Sequence, residues 1–585
     1  MLKKFFISML GTMAGLWISI AILIFGGIIA LGVALGSGAS ETTVKLKKNS
    51  ILYLDLSGAI DERYQPTDFL QFIQASQSKA PSLEEMLNSV HLAAKDKNIE
   101  GIYIHCAASS MGIASREELI EALEKFKKAG KWIYAYADGY TQGDYLVATT
   151  ADNLVLNPMG NLDIHGVGGT TPFFKGLLDK LGIKMQIIKV GTYKSAVEPF
   201  ILTQMSEPAR RQMQQYCDTL WSYTAQTIAE NRNIPLDSVR SMASQLISTR
   251  PAESYIQSGL VDSLFYERMV NENLAVMSGL DADKDPRLIS PSDYLSAKGE
   301  NVSGRHIAVL YAFGDIVDEG NGGIVGSKMV EEIIDLAKDD DVAGMVLRVN
   351  SPGGSAFASE QIWEALQFFK KQGKPLYVSM GDYAASGGYY ISCGADRIFA
   401  DRTTITGSIG VFGMIPDASG LVTDKLGVTF STVETNPNAA PISTMEAMTP
   451  VQYEAMQQHV ELIYDLFTGR VAAGRGMSVE DVKKIAEGRV WVGSNALELG
   501  LVDSLGSLET TVAALADELD MSASDVISYP RYEEKLWEKI LRENNAFDEL
   551  KTAGYDLETL RYVQLVNKLR NAATVQARME EITIQ

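Results

Sequence analysis

The fold is decided by the stretch Gly259-Leu260-Val261-Asp262-Ser263-Leu264, because the same six residues return as Gly500-Leu501-Val502-Asp503-Ser504-Leu505. The offset between the two stretches is 241 residues. Upstream, Glu121 matches Glu364 at an offset of 243 residues, so the repeat extends well beyond the six identical positions. A long repeat of this kind predicts one structural unit that occurs twice in the chain.

Strand-like and helix-like runs alternate within each copy of the unit. Short apolar runs at residues 102–104 and 345–349 are typical of buried strands. The second of these runs leads into a stretch in which Ile362, Leu366 and Phe369 recur at helical spacing. This alternation predicts an α/β fold, with a mainly parallel sheet and crossover helices in each copy.

The composition divides the chain into five segments. We expect an N-terminal membrane anchor (1–40), a first copy (41–290), a linker (291–300), a second copy (301–529) and a helical C-terminal tail (530–585). The linker region is rich in Asp, Ser, Pro and Lys, and the tail places leucines among charged residues.

The anchor is predicted from its length. No charged residue occurs between Lys4 and Glu41, and the run 5–35 exceeds the ~20 apolar residues that span a bilayer. A cleaved signal peptide is the alternative, but its apolar core usually has only ~7 to 15 residues. Lys3 and Lys4 indicate a cytoplasmic amino terminus, so both copies are expected outside the cytoplasmic membrane.

Charge and cysteine usage exclude other classes of protein. The 585 residues include 52 Lys and Arg against 73 Asp and Glu, for a net charge of −21, so nucleic acid is not an expected partner. Cys106, Cys217 and Cys393 are far apart, without the spacing of a zinc site or a disulfide framework. We therefore predict no metal and no other cofactor.

A candidate nucleophile appears where the two copies differ. The second copy reads Gly381-Asp382-Tyr383-Ala384-Ala385-Ser386-Gly387-Gly388-Tyr389-Tyr390, which places Ser386 just after a strand and at the start of a predicted helix. Small neighbours leave room for a substrate carbonyl, and a helix N-terminus offers free N–H groups. The first copy has Gln142 at the matching position, and glutamine is not a nucleophile.

A serine needs a base, and histidine has weak support for that role. None of the five histidines accompanies the Ser386 stretch. The first copy instead carries Lys194 after an apolar strand, whereas the matching region 435–441 of the second copy has no lysine. A lysine acts as a base only if burial lowers its pKa from ~10.4. Ordinary alternatives are a turn at Ser386 and a solvated surface charge at Lys194.

Together with Asn350-Ser351-Pro352-Gly353-Gly354, Tyr193-Lys194-Ser195 and Thr406-Gly407-Ser408-Ile409-Gly410, the Ser386 motif resembles the signal peptide peptidase A family in its long, duplicated form, protease IV. The resemblance extends from the anchor to near the C-terminus. It implies a Ser/Lys peptidase with the Clp protease/crotonase fold. It also implies a nucleophile at Ser386, a general base at Lys194 and a lysine-positioning serine at Ser408.

The expected function is that of a membrane-bound serine endopeptidase that degrades cleaved signal peptides. Backbone N–H groups of Gly353, Gly354 and Gly387 are the candidate oxyanion donors. Hydrophobic signal peptide fragments and membrane lipid are the expected partners, and the resemblance implies a homotetramer in the bacterial inner membrane. Two alternatives remain: a catalytically silent membrane scaffold and a crotonase-type acyl-CoA enzyme.

Overall fold

A computed structural model describes residues 46–64, 81–299, 302, 304–320, 322–531 and 575–578. Strands and helices alternate through both copies, as the sequence predicts. The strands are β1 (Ser50–Ala59), β2 (Ile99–Ser110), β3 (Trp132–Ala137), β4 (Asn153–Leu156), β5 (Lys184–Val190), β6 (Ser263–Leu264), β7 (Arg287–Ile289), β8 (His306–Phe313), β9 (Ile316–Val317), β10 (Ile324–Val325), β11 (Val342–Ser351), β12 (Gly353–Ser355), β13 (Leu376–Ala385), β14 (Arg397–Ala400), β15 (Ile405–Gly407), β16 (Val411–Asp417), β17 (Val490–Val492), β18 (Ser504–Leu505), β19 (Val526–Tyr529) and β20 (Val575–Arg578). The helices are α1 (Leu83–Lys95), α2 (Ile113–Lys128), α3 (Gln142–Ala148), α4 (Lys175–Leu181), α5 (Glu198–Ile201), α6 (Glu207–Arg232), α7 (Leu236–Ala243), α8 (Glu253–Gln257), α9 (Glu267–Met277), α10 (Pro291–Lys298), α11 (Gly326–Lys338), α12 (Ala356–Lys371), α13 (Gly387–Ser392), α14 (Pro450–Arg475), α15 (Val479–Ile485), α16 (Gly493–Glu498) and α17 (Leu508–Glu518).

The first copy folds around a parallel sheet with the strand order β6-β4-β3-β2-β1-β7. Parallel neighbours need crossover connections, and the helices between the strands provide them. Helices cover the sheet, so apolar strand residues such as Leu54 and Ile104 are fully buried.

The second copy repeats this sheet strand for strand. Its parallel part has the order β18-β14-β13-β11-β8-β19, in which each strand is the counterpart of one in the first sheet. An extension adds β15 beside the end of β13 and β17 antiparallel to β15. The duplication predicted from the sequence is therefore confirmed at the level of topology.

A third sheet joins the two copies. Its order is β10-β9-β12-β20-β16-β5, so it contains strands from both. The ladder between β5 of the first copy and β16 of the second is antiparallel and runs from the Val190–Val411 pair to the Lys184–Asp417 pair. The residues that follow β5 and those that precede β16 are thereby brought to the same end of this ladder.

A buried charge cluster forms a second connection between the copies. Arg348 on β11 is 1% exposed, and its guanidinium donates to Glu62 Oε1 at 2.9 Å and to Glu118 Oε1 at 2.7 Å. Glu62 follows β1 and Glu118 lies in α2, so both carboxylates belong to the first copy. Burial raises the pKa of Glu62, and Arg348 opposes that shift. A buried guanidinium needs such partners, because an unpaired charge in the interior is strongly destabilising.

A helix cap is the third connection. Helix α2 of the first copy begins after Gly112, which has no side chain to cap it. Asp382 on β13 supplies the cap from the other copy, since its carboxylate accepts from Ser115 N at 3.1 Å and from Ser115 Oγ at 2.5 Å. A carboxylate at this position also interacts favourably with the helix dipole.

The structure modifies two of the predicted segments. Residues 291–300 were predicted to be a linker, but they contain α10, whose buried Tyr294 donates to Asp96 Oδ2 at 3.0 Å. This segment therefore packs on the first copy. In the predicted helical tail, Val575–Arg578 forms strand β20.

The predicted anchor, residues 1–40, lies outside the described residues, and so do residues 532–574 of the tail. In the part of the chain that the structure does describe, no helix is both long enough and apolar enough to cross a bilayer.

The charge cluster predicts a specific pH dependence of stability. Asp401 directly follows β14 and lies near this cluster, and burial, and next the nearby Glu118, raise its pKa well above the ordinary value. The folded protein thus keeps a proton that the unfolded chain releases above about pH 4, and stability from this group is lost as pH rises towards the folded-state pKa. We expect Asp401→Asn to raise Tm relative to the unmodified chain, by a margin that grows from about pH 4 to about pH 8. Thermal unfolding by scanning fluorimetry measures the margin, and a constant or shrinking difference would contradict the assignment.

Candidate active site

Ser386 has a backbone conformation that is rare for a residue with a side chain. It follows β13 directly and precedes α13, with φ 56° and ψ −113°. Its N–H donates to Gly407 O at 2.8 Å, and its carbonyl accepts from Tyr390 N at 2.8 Å. The surrounding structure therefore imposes this conformation, and strain of this kind is concentrated at functional sites.

Lys194 reaches Ser386 from the other copy. It lies four residues beyond the end of β5, and the preceding Tyr193 N–H donates to Glu487 O at 2.9 Å. The Lys194 side chain is fully buried, and its Nζ lies 2.8 Å from Ser386 Oγ. The structure thus brings together the two residues that the sequence singles out in different copies.

Ser408 completes a cluster of three polar side chains. It follows β15, has φ 49°, and its N–H donates to Arg489 O at 2.7 Å. Lys194 Nζ donates to Ser408 Oγ at 3.1 Å and to Ser408 O at 3.3 Å, while Ser408 Oγ lies 3.3 Å from Gly488 O. The lysine head group is therefore held among three oxygen atoms, two from Ser408 and one from the Ser386 hydroxyl.

The glycines predicted as oxyanion donors lie beside this cluster. Gly387 is the residue after Ser386 and begins α13. Gly353 and Gly354 form β12, with φ of 102° and 155°, and β12 packs against α13. The Gly353 N–H donates to Ser351 Oγ at 3.1 Å. Such φ values are open to glycine and costly for other residues.

Four of the five histidines have partners away from this cluster. His306 Nε2 lies 3.0 Å from the Tyr529 hydroxyl, and His105 Nδ1 lies 3.3 Å from Asp55 Oδ1. Sequence reasoning did not find Gly488, whose Cα faces Lys194, and it did not find Glu62. A glycine or glutamate carries no local signal that would separate these positions from ordinary ones.

Gly488 predicts how sensitive the cluster is to the position of Lys194. It has φ 76°, and a Cβ added there would lie 2.8 Å from Lys194 Cβ and 2.9 Å from Lys194 Cδ. We expect Gly488→Ala to displace the lysine and slow the reaction of Ser386 with a fluorophosphonate reagent by about tenfold or more, since small misplacements of reacting groups cost this much.

Gly476→Ala is the matched control. Gly476 has a similar φ of 64°, but a Cβ there would meet nothing within 4 Å. The labelling rate of Ser386 in Gly476→Ala is expected to stay within about twofold of the rate in the unmodified chain, because this substitution adds only backbone strain. Equal rates for the two variants would show that Lys194 does not need this close packing.

The chain matches two known protein families. It matches Peptidase family S49 over residues 125–281 and again over residues 368–522. The two matches begin 243 residues apart, the offset of the internal repeat between Glu121 and Glu364. It also matches the Clp protease family over residues 319–406, a range that includes Gly353, Gly354 and Ser386. The predicted duplication of a Clp protease-like unit is supported by these matches.

Curated relatives cover most of the chain. "Protease 4" of Haemophilus influenzae is 36% identical over 511 residues, which are 84% of this chain and 82% of that protein. "Protease 4" of Salmonella typhi is 35% identical with the same coverage. "Serine protease SPPA, chloroplastic" of Arabidopsis thaliana is 26% identical over 480 residues, 80% of this chain and 69% of that protein. The family resemblance seen in the motifs is thereby confirmed: the chain belongs to peptidase family S49 and is a serine protease.

Proposed function

We propose that the protein is a serine endopeptidase whose nucleophile is Ser386 and whose general base is Lys194, and that it degrades apolar signal peptide fragments at a membrane. The observation that carries the proposal is the 2.8 Å contact between Lys194 Nζ and Ser386 Oγ, with both side chains fully buried. Burial in general favours the neutral amine over the ammonium ion, and only the neutral amine accepts a proton.

The reaction begins with the neutral amine of Lys194. Ser386 Oγ attacks the peptide carbonyl carbon as its proton passes to Lys194 Nζ, and a tetrahedral intermediate forms. When this intermediate collapses, the C–N bond breaks and the departing amine takes the proton from Lys194. Water then attacks the acyl-serine ester and loses a proton to Lys194. As this second intermediate collapses, the C–O bond to Ser386 breaks, Ser386 Oγ takes the proton back from Lys194 and the carboxylic acid product leaves.

Ser408 fits the role of orienting the base. A neutral amine has two N–H bonds and one lone pair. With the two N–H bonds donated to Ser408 Oγ and Ser408 O, the lone pair faces Ser386 Oγ. The separation of Ser408 Oγ from Gly488 O, 3.3 Å, lets the Ser408 hydroxyl donate there and so keep its own lone pair towards the lysine.

Backbone N–H groups are the proposed oxyanion donors. Gly353, Gly354 and Gly387 are the candidates, because β12 and the start of α13 adjoin Ser386. Donors fixed in advance stabilise the negative charge of the tetrahedral intermediate, and loss of one typically costs about 10² to 10³ in rate.

The geometry of the third sheet supports an extended peptide as substrate. Strand β20 pairs antiparallel with Gly353–Ser355 on one side and with Phe412 and Gly413 on the other. An extended segment therefore fits next to the oxyanion candidates through main-chain hydrogen bonds, which do not depend on side-chain sequence. Substrates of this kind include the apolar cores of cleaved signal peptides.

The membrane location is part of the proposal and rests on the apolar run 5–35. An anchored enzyme with both copies on the outer side of the bacterial cytoplasmic membrane would meet signal peptides where they remain after cleavage. We also propose a homo-oligomer, with a tetramer as the assembly implied by the family resemblance. Lipid and apolar peptide fragments are then its partners.

Hydrolysis of a fluorogenic peptide with an apolar, signal-peptide-like sequence tests the proposal. We expect Ser386→Ala and Lys194→Ala each to lower kcat/KM by at least about 10³-fold, because neither group acts without the other. The control is Lys184→Ala, at the exposed start of the strand that leads to Lys194, with kcat/KM expected within about twofold.

Each outcome of this assay has a clear meaning. Full activity in either variant would remove that residue from the mechanism. No activity in the unmodified chain would favour a membrane scaffold. Turnover of an acyl-CoA ester that survives Ser386→Ala would favour a crotonase-type enzyme instead.

The pH dependence is a separate expectation. Because protonated Lys194 cannot accept a proton from Ser386, kcat should fall about tenfold per pH unit on the acid side of its profile. Steady-state kinetics over a pH series, with thermal unfolding measured at each pH, separates this effect from loss of the fold. A flat acid limb would contradict the lysine base.

A further inference from the structure

The strand that carries Ser386 contains a bulge. On β11 and β13, Val349 pairs with Met380, and the next pair is Ser351 with Ala384. Between these two pairs the chain advances by two residues on β11 but by four residues on β13. In the first copy the ladder between the corresponding strands, from Gly101–Trp132 to Cys106–Ala137, ends at the counterpart of the Val349–Met380 pair. Bulges re-aim strands and are frequent beside active sites.

The bulge is the point at which β13 changes partner. Up to Met380 the strand pairs with β14, and from Tyr383 it pairs with β15. Strand β15 ends immediately before Ser408, so the bulge turns the end of β13 towards Ser408 and Lys194. The direction in which Ser386 leaves the sheet is thus set at residues 381–383.

The side chain of Asn350 occupies the gap that the bulge leaves in the ladder. Its Oδ1 accepts from Tyr383 N at 3.0 Å, as a strand carbonyl would. Its Nδ2 donates to Glu62 Oε1 at 2.9 Å and lies 3.5 Å from Asp382 Oδ2. Only one orientation of the Asn350 amide lets its oxygen accept from Tyr383 N and its nitrogen donate to Glu62. The Glu62 carboxylate, which can only accept, favours this orientation.

Glu62 reaches this point from the first copy. Its carboxylate also accepts from Arg348 Nη2 at 2.9 Å and from Arg348 Nε at 3.1 Å. Gly381 makes the approach possible, because a Cβ there would lie 2.6 Å from Glu62 Oε1. All three groups that face the carboxylate are N–H donors, so an acceptor with two oxygens is required.

We propose that Glu62 is a positioning residue for the hydrolytic reaction. By orienting Asn350, it holds the bulge in β13 and so aligns Ser386 with Lys194. The inference rests on the proposed function of the Ser386–Lys194 pair. The first copy then contributes both the base and the group that aims the nucleophile.

A matched pair of variants tests this role. Glu62→Ala and Glu118→Ala each remove one buried carboxylate from Arg348, but only Glu62 also contacts Asn350. We expect Glu62→Ala to lower kcat for the apolar peptide by about 10- to 100-fold with KM within about threefold, as misalignment of reacting groups predicts. For Glu118→Ala we expect a similar decrease in Tm, with kcat within about threefold of that of the unmodified chain.

An exchange of donor and acceptor provides the test if Glu62→Ala does not fold. Asn350→Asp keeps an acceptor for Tyr383 N but turns a second acceptor towards Glu62, so kcat should fall. Adding Glu62→Gln to Asn350→Asp should lower kcat by no more than about twofold further, because Glu62 acts through Asn350 and that contact is already lost. An effect of Glu62 that does not pass through Asn350 predicts a second, independent loss of kcat per folded molecule.

Ser386→Ala is measured beside every variant. Peptide hydrolysis that survives Ser386→Ala would overturn the proposed function, and this inference with it. Hydrolysis that needs Ser386 but is equally fast in Glu62→Ala would overturn the inference alone. A similar fall in kcat for Glu62→Ala and Glu118→Ala, or a second independent loss of kcat in the double variant, would also overturn it.

Discussion

The antiparallel ladder between β5 and β16 is the interaction on which the rest of the site depends. Its last pair, Val190 with Val411, fixes where the chain leaves β5 and where it enters β16. Lys194 lies four residues after that pair and Ser408 three residues before it, and β5 and β16 run in opposite directions. The two side chains therefore meet across the ladder, and β15 brings Ser386 to the same place through the Ala385–Gly407 pair.

The two copies keep the same sheet but have diverged at its edges. Each has six parallel strands in the same order, which indicates that the core of the unit tolerates duplication without change. The proposed catalytic groups lie outside that shared sheet: the lysine follows β5, the serine follows the bulge in β13, and two of the glycines begin β12. The buried charge cluster and the Asp382 cap then hold the two copies against each other. The geometry of the site therefore depends on the interface between the copies.

The sequence predicts the features that are local or repeated, and it misses those that depend on distant partners. The strands, the duplication and Ser386 follow from apolar patterns and from the comparison of the two copies, and Lys194 from its absence in the second. Glu62 pairs with Arg348 across 286 residues, and nothing near it in the sequence separates it from a surface glutamate. The tail pattern predicts a helix, yet Val575–Arg578 pairs with β12 and β16 because tertiary contacts override local preference.

Because the site is divided between the two copies, the order of synthesis determines when the site can form. Chains are made from the N-terminus and generally fold domain by domain in that order. Lys194 is therefore synthesised 192 residues before Ser386. The backbone carbonyls of Gly488 and Arg489, which hold Ser408, are added later still. With the proposed pair of Ser386 and Lys194, a nascent chain has no complete active site until both copies are nearly finished.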